Sequence, residues 1–283
     1  MFKKIIALYL LLFFSFNSYA QGWVKVYDVG WGGGNSYRDS SKNFLLYAGG
    51  LIVKINNEGE LLWVEAPSNY RSNNLYYTFN NEFLLLQTDN SVDPENASVS
   101  LLDGNREIKW EYQLNYPHPD NTSHQRTDAM AALQTAEGNY WILGDIEEDV
   151  NSSPSMDAHF NYQPFVIELS PEGEKLSFHT YWNTPSALGF SPQKSIAIKE
   201  SGDGGFVLLT LIDGGGGIQG DFPGFTKINA EGEMEWKQYF SHNLIDIEHE
   251  GLVYVTWTFA KNMVITESGE IVIAGISSEK INM

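Results

Sequence analysis

The chain is built from a repeated two-part pattern, and repetition on this scale restricts a sequence to a small number of architectures. One part is a strand-like run, a short turn that ends in Gly-Glu, and a second run that contains an aromatic residue. Alternating residues on both sides of a glycine turn predict a β-hairpin, because glycine adopts positive φ angles at little cost. The four copies are residues 51–63, 99–110, 165–178 and 225–236.

The other part is a turn followed by a more continuous apolar run. Its five copies begin their apolar runs at Phe44, Phe83, Tyr140, Phe206 and Ile271, with spacings of 39, 57, 66 and 65 residues. A further short strand precedes three of the runs, at residues 129–135, 195–200 and 262–267. Each unit therefore has four short antiparallel strands, which at this period is typical of a β-propeller blade.

The clearest copy joins residues 201–206, Ser-Gly-Asp-Gly-Gly-Phe, to the hairpin at residues 228–236. This copy resembles the repeats of exported bacterial β-propeller proteins, which have an Asp-Gly-Gly-aromatic turn followed by a Leu-Asp-x-x-Gly-x-x-x-Trp hairpin. The hairpin is also similar to the tryptophan-docking repeats of pyrroloquinoline-quinone-type propellers. Two copies depart from the pattern, since Arg106 replaces a turn glycine and Ser177 occupies a tryptophan position. The resemblance implies an all-β β-propeller of about five four-stranded blades.

The repeats also suggest how the ring is completed. Residues 22–27, Gly-Trp-Val-Lys-Val-Tyr, resemble the aromatic last strand of a unit, and residues 262–275 form only half a unit. We expect these two segments to share the fifth blade, and an incomplete ring is the alternative. Trp63, Trp110 and Trp236 recur at one hairpin position, which predicts packing between blades.

The first twenty residues predict a signal peptide, with the repeat domain at residues 21–283. They begin Met-Phe-Lys-Lys, continue through a dozen mostly apolar residues and end in Ala20. The apolar stretch is shorter than the roughly 20 residues that span a bilayer. We therefore expect an exported protein, periplasmic or extracellular, with no membrane insertion.

Charge and cysteine content narrow the possible partners. The formal net charge is −19 and the sequence contains no cysteine. A strongly acidic surface repels nucleic acid and anionic membranes, so neither is expected as a partner. Without disulfides, the fold has to be stabilised by its core, to which aromatic residues contribute 14% of the chain.

Acidic residues cluster after the third apolar run. Carboxylate oxygens are the ligands that calcium prefers, although the spacing here does not match a calcium-binding loop. The candidate calcium ligands, which we expect in a loop, are Asp145, Glu147, Glu148, Asp149 and Asp157.

No pattern in the sequence identifies catalytic or cofactor-binding residues. There is no Gly-x-Ser-x-Gly elbow and no Gly-Lys-Ser/Thr phosphate loop, and the six histidines lack metal-ligand spacing. We therefore expect a non-catalytic exported scaffold that binds a protein or a glycan through its loops, notably residues 147–163. The alternative is a propeller enzyme such as a glycan-cleaving hydrolase, because acidic residues are plentiful.

Overall fold

The computed structural model describes residues 36–39, 41–48, 51–65, 71–89, 96–114, 125–148, 161–181, 191–213, 221–239 and 254–281. All regular structure in these ranges is β-strand. No helix able to cross a membrane occurs in this part of the chain. The predicted signal peptide and residues 22–27 lie outside the described residues.

The described strands form five antiparallel sheets, and within each sheet the strands follow chain order. The first sheet contains β1 (Ser36–Arg38), β2 (Phe44–Ala48), β3 (Leu51–Ile55) and β4 (Leu61–Glu65). The second contains β5 (Arg71–Tyr77), β6 (Phe83–Asp89), β7 (Asn96–Leu102) and β8 (Ile108–Leu114). The third contains β9 (Gln125–Gln134), β10 (Tyr140–Glu148), β11 (Asn161–Leu169) and β12 (Lys175–Thr180).

The last two sheets differ in size. The fourth contains β13 (Ser191–Glu200), β14 (Phe206–Asp213), β15 (Asp221–Ile228) and β16 (Met234–Tyr239). The fifth, as far as it is described, contains β17 (Tyr254–Ile265) and β18 (Ile271–Ile281). The predicted four-stranded unit is thus confirmed in four sheets.

Together the sheets form a β-propeller. The first strands of successive sheets contact one another, β5 with β9, β9 with β13 and β13 with β17, so they lie nearest the centre. The predicted apolar runs are the second strands, and residues 140–146 of β10 are all buried. Because neighbouring sheets pack on both faces of such a strand, a continuous apolar run is the sequence that suits it. The outer strand β8 instead alternates between exposed and half-buried residues before ending on a buried one.

Hairpins of one design close the sheets at one end of the molecule, the turn end. In each, the first residue donates its N–H to the fifth residue's carbonyl, and the fourth donates back to the first. In the turn at residues 56–60 these N···O distances are 2.9 and 3.0 Å. The fourth residue has a positive φ, and Arg106 adopts 71° where most copies have glycine. The departure at Arg106 therefore leaves the turn geometry intact.

First strands also share an irregularity. A β-bulge lies five positions before the hairpin in β5, β9, β13 and β17, and β13 has a second bulge nearer its start. In β9 the extra residue is Met130, whose carbonyl accepts a hydrogen bond from Asn74 Nδ2 of the preceding sheet at 2.7 Å. Bulges redirect backbone groups out of the ladder, and here one redirected carbonyl joins two first strands.

Candidate functional site

The two ends of the propeller differ in the connections between their strands. The end opposite the turns, the loop end, carries the connections between second and third strands and those between sheets. Their lengths in sequence range from two residues, 49–50, to fourteen, 240–253. Variable connections on a repeated scaffold are where binding residues concentrate. The residues that flank the loop end are therefore the candidates for a binding site.

Asp145 is a buried carboxylate close to this end, on the second strand of the third sheet. Asp145 is only 3% exposed. Ser195 of β13 donates its hydroxyl to Asp145 Oδ1 at 2.6 Å and its backbone N–H to Oδ2 at 2.9 Å. Both carboxylate oxygens are thus bonded to the next sheet, and Asp145 joins the third sheet to the fourth.

A second carboxylate, Asp128, lies directly opposite Asp145 in the β9–β10 register. Thr88 of β6 donates its hydroxyl to Asp128 Oδ1 at 3.0 Å, which joins the second sheet to the third. We call Asp128 and Asp145 the acidic pair. Residues directly opposite in antiparallel strands have Cβ atoms about 5 Å apart, so the two charges influence each other.

Burial dominates the electrostatics of the acidic pair. The pKa of Asp145 is raised to about 6, chiefly by burial and in smaller part by the negative charge of Asp128, while the hydrogen bonds from Ser195 and the charge of Lys194 act in the opposite direction. The two carboxylates differ in access: Asp145 is enclosed, Asp128 is only half-buried, and the nearby Lys194 is exposed. Asp145 therefore positions strands, while Asp128 and Lys194 present opposite charges to solvent.

Gln163 is a second unusual residue at the loop end. It is 3% exposed, and neither its Nε2 nor its Oε1 atom has a hydrogen-bond partner. In the sheet it lies opposite Ile146, which belongs to the buried cluster between the second and third sheets. Burying an amide without partners costs about 1–3 kcal/mol. A polar group that reached this amide would recover that free energy.

The candidate calcium ligands are only partly described. The expectation that they lie in a loop is wrong for Asp145, Glu147 and Glu148, because β10 continues through Glu148. Asp149 and Asp157 lie outside the described residues. Within the described ranges, no three acidic or histidine side chains come together as metal ligands. Calcium binding by this segment stays a prediction.

The recurring tryptophans pack between sheets where the neighbouring sheet is described. Trp110 donates its indole N–H to the Pro171 carbonyl at 2.9 Å, and the Arg106 guanidinium lies 4.7 Å from the Trp63 ring centroid. These two confirm the prediction. Trp236 is 42% exposed, and the sheet that follows it has only two described strands.

The sequence did not single out Asp128, Ser195, Lys194 or Gln163. Each is a polar residue within a strand whose partner is set by three-dimensional packing. The only available signal was Asp145, a carboxylate that interrupts a buried apolar run directly before Ile146. Such an interruption demands a partner, but the sequence does not say which strand supplies it.

Comparison with known proteins gives remote structural likenesses and no function. No family model matches the chain, and no curated protein does. It is similar to a protein of unknown function from Dyadobacter fermentans, with 12% identity, 87% of this chain and 75% of that chain covered, and a TM-score of 0.46. The Dos1 propeller is 10% identical over 82% of this chain with a TM-score of 0.43, and this chain spans half of it. A protein of unknown function from Bacteroides caccae is 12% identical, with 77% and 85% covered and a TM-score of 0.32.

Proposed function

We propose that this protein is an exported, non-catalytic propeller that binds a protein or a glycan at its loop end. The observation that carries the proposal is the position of the acidic pair where the first strands meet. There Asp128 and Lys194 offer an acceptor and a donor to solvent, while the enclosed Asp145 fixes β13 beside β10 through Ser195. A rigid scaffold with a few oriented polar groups is the usual construction of a binding site.

The surroundings of Asp145 support binding over catalysis at this position. A general acid or nucleophile has to contact the reacting atoms. Asp145 is enclosed, and Ser195 occupies both of its oxygens. The acidic pair therefore lacks the two accessible carboxylates that glycoside cleavage requires.

The test is equilibrium binding of the chain from Gln21 onward to a glycan array and to a library of synthetic peptides. We expect either glycans or peptides to bind. Asp128→Asn and Lys194→Met should each raise the dissociation constant about tenfold, since the loss of a polar contact worth about 1.4 kcal/mol has that effect. The matched control is Lys175→Met, an exposed lysine on the outer strand β12 near the turn end.

Three outcomes would contradict the proposal. The first is that no member of either class binds. The second is that binding is lost in Lys175→Met and kept in both loop-end variants. The third is that bound glycans are recovered shortened, which would establish the hydrolase alternative instead.

A further inference from the structure

The turn end of the propeller is strongly acidic. Its nine described hairpin turns, five between first and second strands and four between third and fourth strands, contain fourteen carboxylates and two basic side chains, Lys42 and Arg106. Lysines on neighbouring strands neutralise some of these carboxylates, and Lys109, for example, pairs with Glu82 at 2.6 Å. An excess of carboxylates attracts cations and repels anions. The ligand that suits this face by charge is therefore a cation.

One large apolar side chain is exposed on the same face. Phe79 is 75% exposed, more than any other large apolar residue in the described part of the chain. It is the second residue of an inner turn, one that joins a first strand to a second strand near the centre of the propeller. In the other inner turns this position is occupied by Ser40, Ala136, Gly202 and Glu267. The exposed aromatic ring is therefore a feature of this one turn and not of the repeat.

The turn that carries Phe79 is held by the next sheet as well as by its own. The Phe79 N–H donates to Gln134 Oε1 of the third sheet at 2.9 Å. The Gln134 amide nitrogen donates to the Gly138 carbonyl at 3.4 Å and to the Tyr140 hydroxyl at 3.3 Å. Gln134 therefore places Phe79 beside the inner turn of the third sheet, residues 135–139. A side chain on a backbone held in this way loses little freedom when it binds a ligand.

The neighbouring turn contributes a hydroxyl group without a partner. Thr135 begins that turn and is 6% exposed, and its Oγ1 atom has no hydrogen-bond partner. At the same position of two other inner turns, the oxygens of Thr78 and Thr266 accept the N–H of the fifth turn residue at 3.2 and 3.0 Å. The Thr135 oxygen is not used in this way. A donor that reached it would recover the free energy lost by leaving it unpaired.

The electrostatics around the Gln134 amide favour a positive charge. Burial raises the pKa of Tyr140 to about 12, and the negative charges of Glu82 and Glu172 raise it in smaller part. Both carboxylates therefore act on the atoms beside Gln134. Glu137, in the turn that Thr135 begins, adds an exposed carboxylate. We define the turn-end patch as Phe79, Glu82, Gln134, Thr135 and Glu137.

We propose that the turn-end patch binds a lysine- or arginine-rich segment of a partner protein. The apolar stem of one basic side chain packs on the Phe79 ring, whose π-electron face also attracts the cation. The charged head group contacts Glu82 and Glu137, and one of its N–H groups donates to the Thr135 oxygen. Because carboxylates continue around the other turns, a chain with several spaced positive charges matches this face better than a single cation does. The patch lies at the end opposite the acidic pair, so its ligand is independent of the one proposed for the loop end.

The test measures binding of three fluorescent peptides to the chain from Gln21 onward. The peptides share one sequence except at four spaced positions, which are all Lys, all Gln or all Glu. Fluorescence anisotropy gives the dissociation constants at low and at physiological salt. We expect the Lys peptide to bind about tenfold or more tightly than the Gln peptide and the Glu peptide not to bind. The dissociation constant of the Lys peptide should rise several-fold at the higher salt concentration, because exposed charges are screened.

Substitutions locate the site. Phe79→Ser and Glu137→Gln should each raise the dissociation constant of the Lys peptide about fivefold to tenfold, since each removes one contact of the basic side chain. The matched controls are Ile108→Ser and Glu111→Gln, which make the same kinds of change at exposed positions of the outer strand β8. Both controls should leave the dissociation constant within about twofold of the wild-type value. All four side chains are exposed, so the fold should be retained, which circular dichroism checks.

Chemical cross-linking reads the contact directly. A carbodiimide joins a lysine amine to a carboxylate that lies against it, and mass spectrometry of the digested product identifies the carboxylate. We expect the Lys peptide to be joined to Glu82 or Glu137 and not to Glu111.

Three results would overturn the proposal. Equal binding of the Lys and Gln peptides would show that charge does not select the ligand. Binding that both Phe79→Ser and Glu137→Gln leave unchanged, or that Asp128→Asn abolishes, would place the basic peptide elsewhere on this acidic protein. Spermine that displaces the Lys peptide equally well from the wild type and from Phe79→Ser would show that the turns attract small polycations and that the patch does not recognise a protein segment.

Discussion

Replacing Asp145 with asparagine should change how stability depends on pH. In the folded state burial raises the pKa of this carboxyl to about 6, against an ordinary value of 3.8. The folded protein therefore binds the proton more tightly than the unfolded chain does. Between pH 7 and pH 4 the folded state takes up the proton first, so this residue makes the protein more stable as the pH falls.

The size of the effect follows from the difference between the two pKa values. A difference of about two units corresponds to about 3 kcal/mol, since each unit is worth about 1.4 kcal/mol. Asparagine has no proton to gain, so this contribution disappears in the variant. Its amide oxygen can still accept the Ser195 N–H while its NH2 donates to the Ser195 hydroxyl oxygen, and any cost of this exchange is the same at every pH.

The assay is urea unfolding of both proteins at pH 4, 5, 6, 7 and 8, followed by tryptophan fluorescence. The free energy of unfolding of the wild type minus that of the variant should rise by about 2.5 kcal/mol from pH 7 to pH 4, because the unfolded carboxyl is itself partly protonated at pH 4. Asp203→Asn is the control of opposite sign. The Ser201 hydroxyl, the Gly205 N–H and Lys227 hold the pKa of Asp203 below its usual range, so its contribution is lost as the pH falls. A constant difference between wild type and Asp145→Asn would refute the reasoning that Asp145 is ionised and enclosed at neutral pH.

Three further substitutions test the packing between sheets, each by urea unfolding. Gly173→Ala should cost about 1–3 kcal/mol more than Gly204→Ala, because both glycines have positive φ but only a Cβ at Gly173 would meet a ring, that of Trp110 at 2.5 Å; equal costs would contradict the contact between Trp110 and this turn. Trp110→Phe should cost about 1 kcal/mol or more, since a smaller aromatic ring remains and the hydrogen bond to Pro171 is lost, and no change would show that this bond contributes nothing. Gln163→Met should raise the free energy of unfolding by about 1–2 kcal/mol, because it removes an amide that has no partner; a loss of stability would mean that the amide is satisfied.

The strand pattern could be predicted because the order of apolar and polar residues within each repeat depends on which faces of its strands are buried. A continuous apolar run such as residues 83–86 is buried on both faces, and the alternation around Trp110 is that of an outer strand. The turns contain a signal that sequence reasoning used only in part. Each begins with Asp, Asn, Ser or Thr, and the side-chain oxygen of Asn56, for example, accepts the N–H groups of Glu58 and Glu60. That first residue explains why Arg106 can replace glycine at the fourth position without loss of the turn.

The site could not be predicted in the same way, because its contacts join different repeats. Asp145 and Ser195 are fifty positions apart, and other partners that cross between sheets, such as Thr88 with Asp128 or Trp110 with Pro171, are separated by 40 and 61 positions. The first-strand bulges further shift the register, so counting residues from a hairpin does not show which side chain faces the neighbouring sheet. The sequence pattern predicted a loop for Asp145, Glu147 and Glu148, which instead lie in β10.

One position of the repeat explains why the polar contacts lie where they do. Thr88 and Asp145 are both five positions after the first residue of an apolar run, Phe83 and Tyr140. Both bond to the first strand of the following sheet, Thr88 to Asp128 and Asp145 to Ser195. The fourth sheet has Leu211 at this position, which packs in an apolar cluster instead.

This position is therefore the place where the scaffold tolerates either a polar or an apolar contact between sheets. It lies at the loop end of the second strand, beyond the residues that the repeat requires to be apolar. A polar side chain at this position lowers stability unless it has a well-oriented hydrogen-bond partner. That hydrogen bond also holds in place the first strands that carry Asp128 and Lys194. If the polar choice serves binding, converting the third sheet to the apolar choice with Asp145→Leu and Ser195→Ala should preserve the fold, as measured by circular dichroism, and weaken ligand binding. Unchanged binding in that double variant would show that the polar contacts serve the scaffold alone.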